Sequence, residues 1–408
     1  MKPLGPIPSG FETIDGELAI GGRKASDLVA EAGSTPVFVY SRTIVQGRID
    51  ALRAAMPQRL DLHFAVKANP FPPLLHVMSE IVDGFDIASG GELEIVLKAG
   101  IAPERISFAG PGKRTDELEA AIKVGATINL ESEGEAERAI AAGQRLGITP
   151  RLAVRVNPDF DLKGSGMKMG GGAKQFGIDA ERVPCLVRRI VAAEADWRGF
   201  HIFAGSQALD AAAIIATQAQ TLALASRLAE LSGVALPRCN LGGGFGIPYF
   251  PGDAPLDIAA IGAALNDAFS SLPDNLTDTK FCLELGRYLV GEAGVYLTRI
   301  VDRKVSHGQV FLVVDGGLHH QLAASGNFGT VIRRNYPVAI ANRFAAQMDE
   351  QASIVGCLCT PLDRLADQAG FPHADVGDLV AVFCAGAYGA TASPAAFLGH
   401  GPASELLV

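Results

Sequence analysis

Eight short apolar runs, most of them followed by a helix-like stretch, dominate residues 60 to 290 of this 408-residue chain. The runs cover 62–68, 84–89, 105–110, 127–130, 151–157, 199–205, 239–244 and 281–286, and many end in Gly, Ser, Asn or Pro. Their starts lie about 20 residues apart at first and about 40–50 apart later, room for a helix, or a helix and a loop, between strands. Amphipathic stretches at 115–124, 133–146, 183–195 and 212–231 fill such intervals. Eight strand–helix units predict an α/β fold, a parallel (β/α)8 barrel of the TIM type, with its chemistry at the C-terminal ends of the strands. An open, doubly wound sheet stays in play, because periodicity does not report closure.

Beyond residue 290 the helical alternation fades. Stretches 295–301, 309–314 and 379–384 read as strands separated by Gly and Pro turns, and Val37-Phe38-Val39-Tyr40 is strand-like too. Chain ends commonly lie close together, so we expect a barrel over 41–290 and a β domain built from 1–40 and 291–408. No internal repeat is present. Residues 164–173, rich in glycine and methionine, are expected to form a mobile loop beside the site.

Bulk properties narrow the function classes. A net charge of −9, relieved by no basic cluster, argues against nucleic acid or an anionic membrane as partner. The opening Met1-Lys2-Pro3-Leu4-Gly5-Pro6 lacks the apolar core of a signal peptide, and no apolar stretch is long enough to span a bilayer, so a cytoplasmic location is expected. Six scattered cysteines are too sparse for a disulfide framework. Cys357-Leu358-Cys359 has a one-residue spacer and no second Cys/His pair nearby in sequence, so no metal site is expected.

Five features carry chemistry, four of them at strand ends. In His63-Phe64-Ala65-Val66-Lys67-Ala68-Asn69-Pro70 a lysine sits within an apolar strand. It must snorkel to solvent or have a task, since burying an ammonium is costly; facing a barrel mouth, it can lose its proton and attack an aldehyde. Gly242-Gly243-Gly244-Phe245-Gly246 exposes backbone N–H groups to an anion such as phosphate, although a plain tight turn has the same composition. Gly205-Ser206-Gln207 would add a hydroxyl. Glu284-Leu285-Gly286-Arg287 places a carboxylate in the mouth, either salt-bridged to Arg287 or set against a pyridine nitrogen that it keeps protonated. Asp86-Ile87-Ala88-Ser89-Gly90-Gly91-Glu92 closes the second strand. The fifth feature is a C-terminal pair, residues 356–363 and Gly386-Ala387-Tyr388-Gly389, where Tyr388 also fits a plain turn with a core ring.

In this order, together with Arg155-Val156-Asn157-Pro158, these segments resemble the fold-type III pyridoxal-phosphate (PLP) decarboxylases, the group of diaminopimelate, ornithine and biosynthetic arginine decarboxylases, over nearly the whole chain. The resemblance implies an alanine-racemase-like barrel plus a β domain, a head-to-tail homodimer with shared active sites, and removal of an amino acid's α-carboxylate. It makes Lys67 the Schiff-base lysine and Glu284 the partner of the pyridine nitrogen. Ser206, Gly243, Gly244 and Arg287 become phosphate residues, with Tyr388 closing over them, and Asp86, Arg155, His201, Phe203 and Gly286 also border the cofactor. Cys359 matches the cysteine given to the neighbouring subunit's site, where a thiol suits protonation of the α-carbon.

Three departures bear on substrate. Phe203 stands where the family has its ring-stacking histidine, while His201 matches an upstream histidine of the diaminopimelate branch. Thr360 follows Cys359 where diamine-handling members place an acid, which leaves Asp363 as the acid expected to compensate. The stretch 315–329 lacks the Arg-Pro-x-Tyr pattern of diaminopimelate decarboxylase. Together with 164–173, these changes resemble the branch from secondary-metabolite and exopolysaccharide (exosortase-associated) gene clusters, some of whose members act on carrier-tethered amino acids. A racemase of the alanine-racemase type, a non-catalytic PLP-binding protein and a cofactor-free lysine aldolase are the competing readings.

Overall fold

The computed structural model describes residues 1–326 and 334–408. The chain divides into one unit of Ile49–Gly246 and Leu256–Gly286 and another of Met1–Arg48, Ile247–Pro255 and Arg287–Val408.

In the first unit the strands are β1 (Leu60–Ala65), β2 (Gly84–Ile87), β3 (Ile106–Phe108), β4 (Thr127–Leu130), β5 (Arg151–Asn157), β6 (Asp196–Ile202), β7 (Arg238–Asn240) and β8 (Lys280–Leu285). Neighbours pair in parallel in the order β5-β6-β7-β8-β1-β2-β3-β4, and β4 pairs back onto β5. The sheet therefore closes, and the open-sheet alternative falls. Helices Thr115–Val124 and Glu133–Leu146 occupy the spans their periodicity predicts. Val183–Ala192 stops three residues early, because Glu194 adopts a left-handed φ of 56°.

Period-two alternation divides the strands. Phe64, Phe85, Phe108, Ile128 and Phe281 are fully buried, each worth about 1.5–3 kcal/mol of apolar burial. The intervening positions are polar and point into the barrel: His63 of β1 bonds Arg238 of β7, and His201 of β6 bonds Glu284 of β8. Such bonds join strands that are not neighbours, so they cross the lumen.

One boundary corrects the sequence reading. β1 ends at Ala65, which puts Lys67 in a 3-10 turn, Val66–Ala68, rather than inside the strand. Within residues 164–173, Met167–Lys168 pairs antiparallel with Gly205–Ser206.

The second unit holds an eight-stranded mixed sheet forming a near-closed barrel. Its long strand, Gly294–Ser306, pairs with Val37–Tyr40, Leu379–Val382 and Gln309–Val314. Val37–Tyr40 in turn pairs in parallel with Ser404–Leu407, so both chain ends enter one sheet as expected. Leu28, Val37, Val39, Val295, Leu297, Ala381 and Phe383 form its core. The end of the 315–329 stretch lies outside the described residues. Among the described residues no helix is long and apolar enough to cross a membrane.

Gly199 sits at a register shift in β6, with φ +109° and the Arg238 carbonyl oxygen 1.8 Å from where a Cβ would stand. Gly199→Ala should therefore destabilise the barrel by about 3 kcal/mol or more, read as a lowered urea midpoint; an unchanged midpoint would contradict the tight approach.

Candidate active site

Lys67 is held by its turn. Asn69 N–H donates to the Val66 carbonyl, and the Asn69 side chain accepts from Phe71 N–H, leading into helix Pro72–Ile81. The Lys67 Nζ atom lies 3.9 Å from Glu284 Oε1 and 5.8 Å from the centre of the Phe203 ring. Its side chain is 46% exposed, so the amine remains reachable.

Glu284, one residue before the end of β8, is almost fully buried, and its partner is His201, whose Nε2–H donates to Oε2 at 2.9 Å. Burial alone would raise this carboxyl's pKa. The His201 hydrogen bond and the charges of His201, Lys67 and Arg155 outweigh that and hold it down at about 2. The salt bridge to Arg287 weighed from sequence is replaced by these partners.

The glycine run is a packing necessity as well as a candidate anion cradle. A Cβ on Gly243 would stand 2.0 Å from the Glu284 carbonyl oxygen, and one on Gly244 would stand 2.4 Å from that of Gly205. Gly242 and Gly244 have φ of +72° and +85°. Gly242 N–H is bonded to Asn240 Oδ1, whereas those of Gly243 and Gly244 donate to no other described residue. Ser206 lies on the short ladder with Met167–Lys168.

Asp86 accepts from His63 Nδ1 at 3.0 Å, and Arg238 donates to His63 Nε2 at 3.0 Å while also bonding Asp61. The second Asp86 oxygen is buried and takes no partner among the described residues. The remainder of its motif is a helix cap: Ser89 accepts from Glu92 N–H, and Glu92 accepts from Ala88 N–H. Arg155 donates to Glu131 at 2.8 Å, and Glu131 also accepts from Gly110 and Gly177 N–H. Buried Lys113 pairs with Glu135 at 2.8 Å. Sequence reasoning passed over Glu131, Lys113 and Glu135, although a glutamate directly after β4 was the available signal.

In the second unit Arg287 stacks over the Tyr388 ring at 4.9 Å and donates to the Tyr249 hydroxyl, with its Nε buried and unpartnered among the described residues. Gly286 precedes it, closing β8. Cys359 is exposed, and Thr360 partly so. Asp363 corrects an expectation. It is buried, and its carboxylate accepts from Leu318 N–H at 2.7 Å and Leu358 N–H at 2.9 Å. It pins two loops and offers no exposed carboxylate to a substrate ammonium.

A buried, ionised carboxylate beside a reachable lysine, with paired strand-end glycines, is what a carbonyl cofactor with a pyridine nitrogen and a phosphate requires. The chain belongs to the pyridoxal-dependent decarboxylases: residues 42–291 match the model of the family's pyridoxal binding domain. It is a PLP-dependent amino-acid decarboxylase, and the racemase, non-catalytic and aldolase readings give way. It is 35% identical to the L-glutamyl-[BtrI acyl-carrier protein] decarboxylase of Niallia circulans, over 91% of this chain and 88% of that one. It is 34% identical to the diaminopimelate decarboxylase of Aquifex aeolicus, over 93% and 88%. The crystal structure of diaminopimelate decarboxylase from M. jannaschii in complex with L-lysine shares the fold, with a TM-score of 0.88 and 24% identity over 98% and 93% of the two chains.

The depressed Glu284 pKa makes a signed prediction. A group ionised more readily when folded stabilises the fold above its unfolded pKa, near 4.5, and loses that contribution as pH falls towards 2. Across that window wild type should lose more stability than Glu284→Gln, measured by denaturant unfolding at stepped pH. Parallel pH profiles would contradict the assignment.

Proposed function

We propose that this decarboxylase acts on an amino acid tethered to an acyl-carrier protein, in preference to free diaminopimelate or ornithine. One observation carries the reading: at the positions expected to meet a distal ammonium, Thr360 replaces an acid and the Asp363 carboxylate is taken up by backbone N–H groups. A substrate ammonium brought there would be desolvated without a counter-charge, a penalty that a tethered acyl group does not incur. The name of the Niallia circulans relative supports the same substrate class.

When bound, PLP supplies an aldehyde that condenses with amines and a cationic ring that accepts the electron pair released with carbon dioxide. The chain's residues orient and charge that group. Lys67 would hold it covalently, and Glu284, kept anionic with His201 as its donor, would hold the proton on its ring nitrogen. Gly243 and Gly244 N–H groups, the Ser206 hydroxyl, Arg287 and Tyr388 would hold its phosphate. Phe203 would cover one ring face, which keeps stacking but gives up the hydrogen bond a histidine provides. Asp86, Arg155 and Gly286 would border the cofactor. Tyr388 and Thr360 are the remaining candidates on the substrate side.

For Cys359 we propose proton delivery to the α-carbon in a second copy of the chain. Its exposure in the single chain suits that role, and a homodimer follows from the reading. Cys359→Ala should keep the cofactor's visible absorption and lower turnover by about a hundredfold, or divert protonation; unchanged kinetics would remove it from the mechanism.

The substrate proposal is tested by carbon dioxide release across a panel of free and carrier-linked amino acids. Carrier-linked glutamate should exceed diaminopimelate and ornithine by at least about tenfold in kcat/KM, and comparable turnover of either diamine would overturn it. Lys67→Ala should abolish the visible band of the protein-linked cofactor and lower turnover by about a thousandfold or more.

A further inference from the structure

The second unit brings together three side chains that lie far apart in sequence, one of them, Cys357, two residues before Cys359. One nitrogen each of His319 and His400 and the sulfur of Cys357 all lie within 4.8 Å of one another. Cys357 Sγ is 3.8 Å from His400 Nε2. Two ligands of a tetrahedral zinc ion, one sulfur and one nitrogen, stand roughly 3.6 Å apart given ordinary zinc–ligand bond lengths.

His319 is the independent observation. It is fully buried, yet among the described residues neither ring nitrogen has a hydrogen-bond partner. Buried histidines are ordinarily satisfied, so two orphaned nitrogens mark a missing partner. His320 stacks on His319 with ring centres 3.9 Å apart, but its own nitrogens are engaged by the Tyr296 hydroxyl and the Gly401 carbonyl.

The three segments are also held in place. Asp363 accepts from Leu318 N–H beside His319 and from Leu358 N–H beside Cys357, and its carbonyl accepts from Gly356 N–H. His320 ties the third segment through Gly401, next to His400. Side chains on loops fixed in this way are positioned before any ion arrives.

We propose that His319, Cys357 and His400 bind one divalent, borderline-soft cation of the zinc class, with a fourth position open to water. Two imidazoles and a thiolate suit that class, whereas magnesium and calcium take oxygen ligands. Cys357 now donates to the Asp315 carbonyl at 3.5 Å. Binding therefore breaks its S–H bond, forms a metal–sulfur bond and releases one proton to solvent, so affinity rises with pH. The proposal is independent of the substrate reading above.

The test uses holoenzyme stripped with a chelator, then titrated with zinc and, separately, cobalt. Wild type should bind one zinc per chain with release of about one proton, and cobalt should give a thiolate-to-metal absorption band with tetrahedral d–d bands. Cys357→Ser should abolish the band, and Cys357→Ser and the exposed-site His400→Ala should each weaken zinc binding at least about tenfold. Cys359→Ser, two residues away, should retain the band. Retention of the visible cofactor absorption checks that each variant is folded. No cobalt–thiolate band in wild type, equal zinc affinity in wild type and Cys357→Ser, or loss of the band in Cys359→Ser instead would each overturn the proposal.

Discussion

A carboxylate kept charged without water is the constraint around which the barrel is arranged. Glu284 is buried at the end of β8, and it stays anionic because His201 donates to it and Lys67 and Arg155 lie near enough to act through their charges. An isolated buried carboxylate would take up a proton. The cost of removing one partner from such a pair is on the order of 3–5 kcal/mol, so His201 matters to the fold as well as to the site.

That requirement spreads through the lumen. The inward positions carry Asp61, His63, Asp86, Asn129, Arg155, His201, Asn240 and Glu284, where many barrels of this type are filled by branched apolar residues. Each charge has an opposite or a donor within reach: Asp86 to His63, His63 to Arg238, Arg238 to Asp61, Arg155 to Glu131. Paired polar groups rigidify a low-dielectric interior, while unpaired ones destabilise it. The same network that fills the barrel therefore fixes the orientation of the reactive side chains at its rim.

Much of this was legible from residues alone, for identifiable reasons. Helical and strand periods differ enough that Thr115–Val124, Glu133–Leu146 and five of the eight strands were placed to within about two residues at each end, the usual scatter of element boundaries. Closure was not legible, because the β4–β5 pairing that completes the barrel has no separate mark in sequence. Lys67 was found by its chemistry but assigned to a strand, since Val66 and Ala68 extend the apolar run through a 3-10 turn. The partners of Asp363 were not legible, because an acid near Thr360 looks the same in sequence whether it meets a ligand or two backbone N–H groups. The His319, Cys357 and His400 cluster escaped for the opposite reason: its members are separated by tens of residues, and only the fold joins them.

The buried Asp363 has an evolutionary consequence. By fastening residues 356–358 to 317–318 from behind through backbone N–H groups, it leaves residues 360 to 362 on the outer side of a turn. Identities there can drift while the scaffold keeps its shape. A lineage could exchange one substrate for another by changing a few outward groups, without first acquiring a compensating mutation in the core.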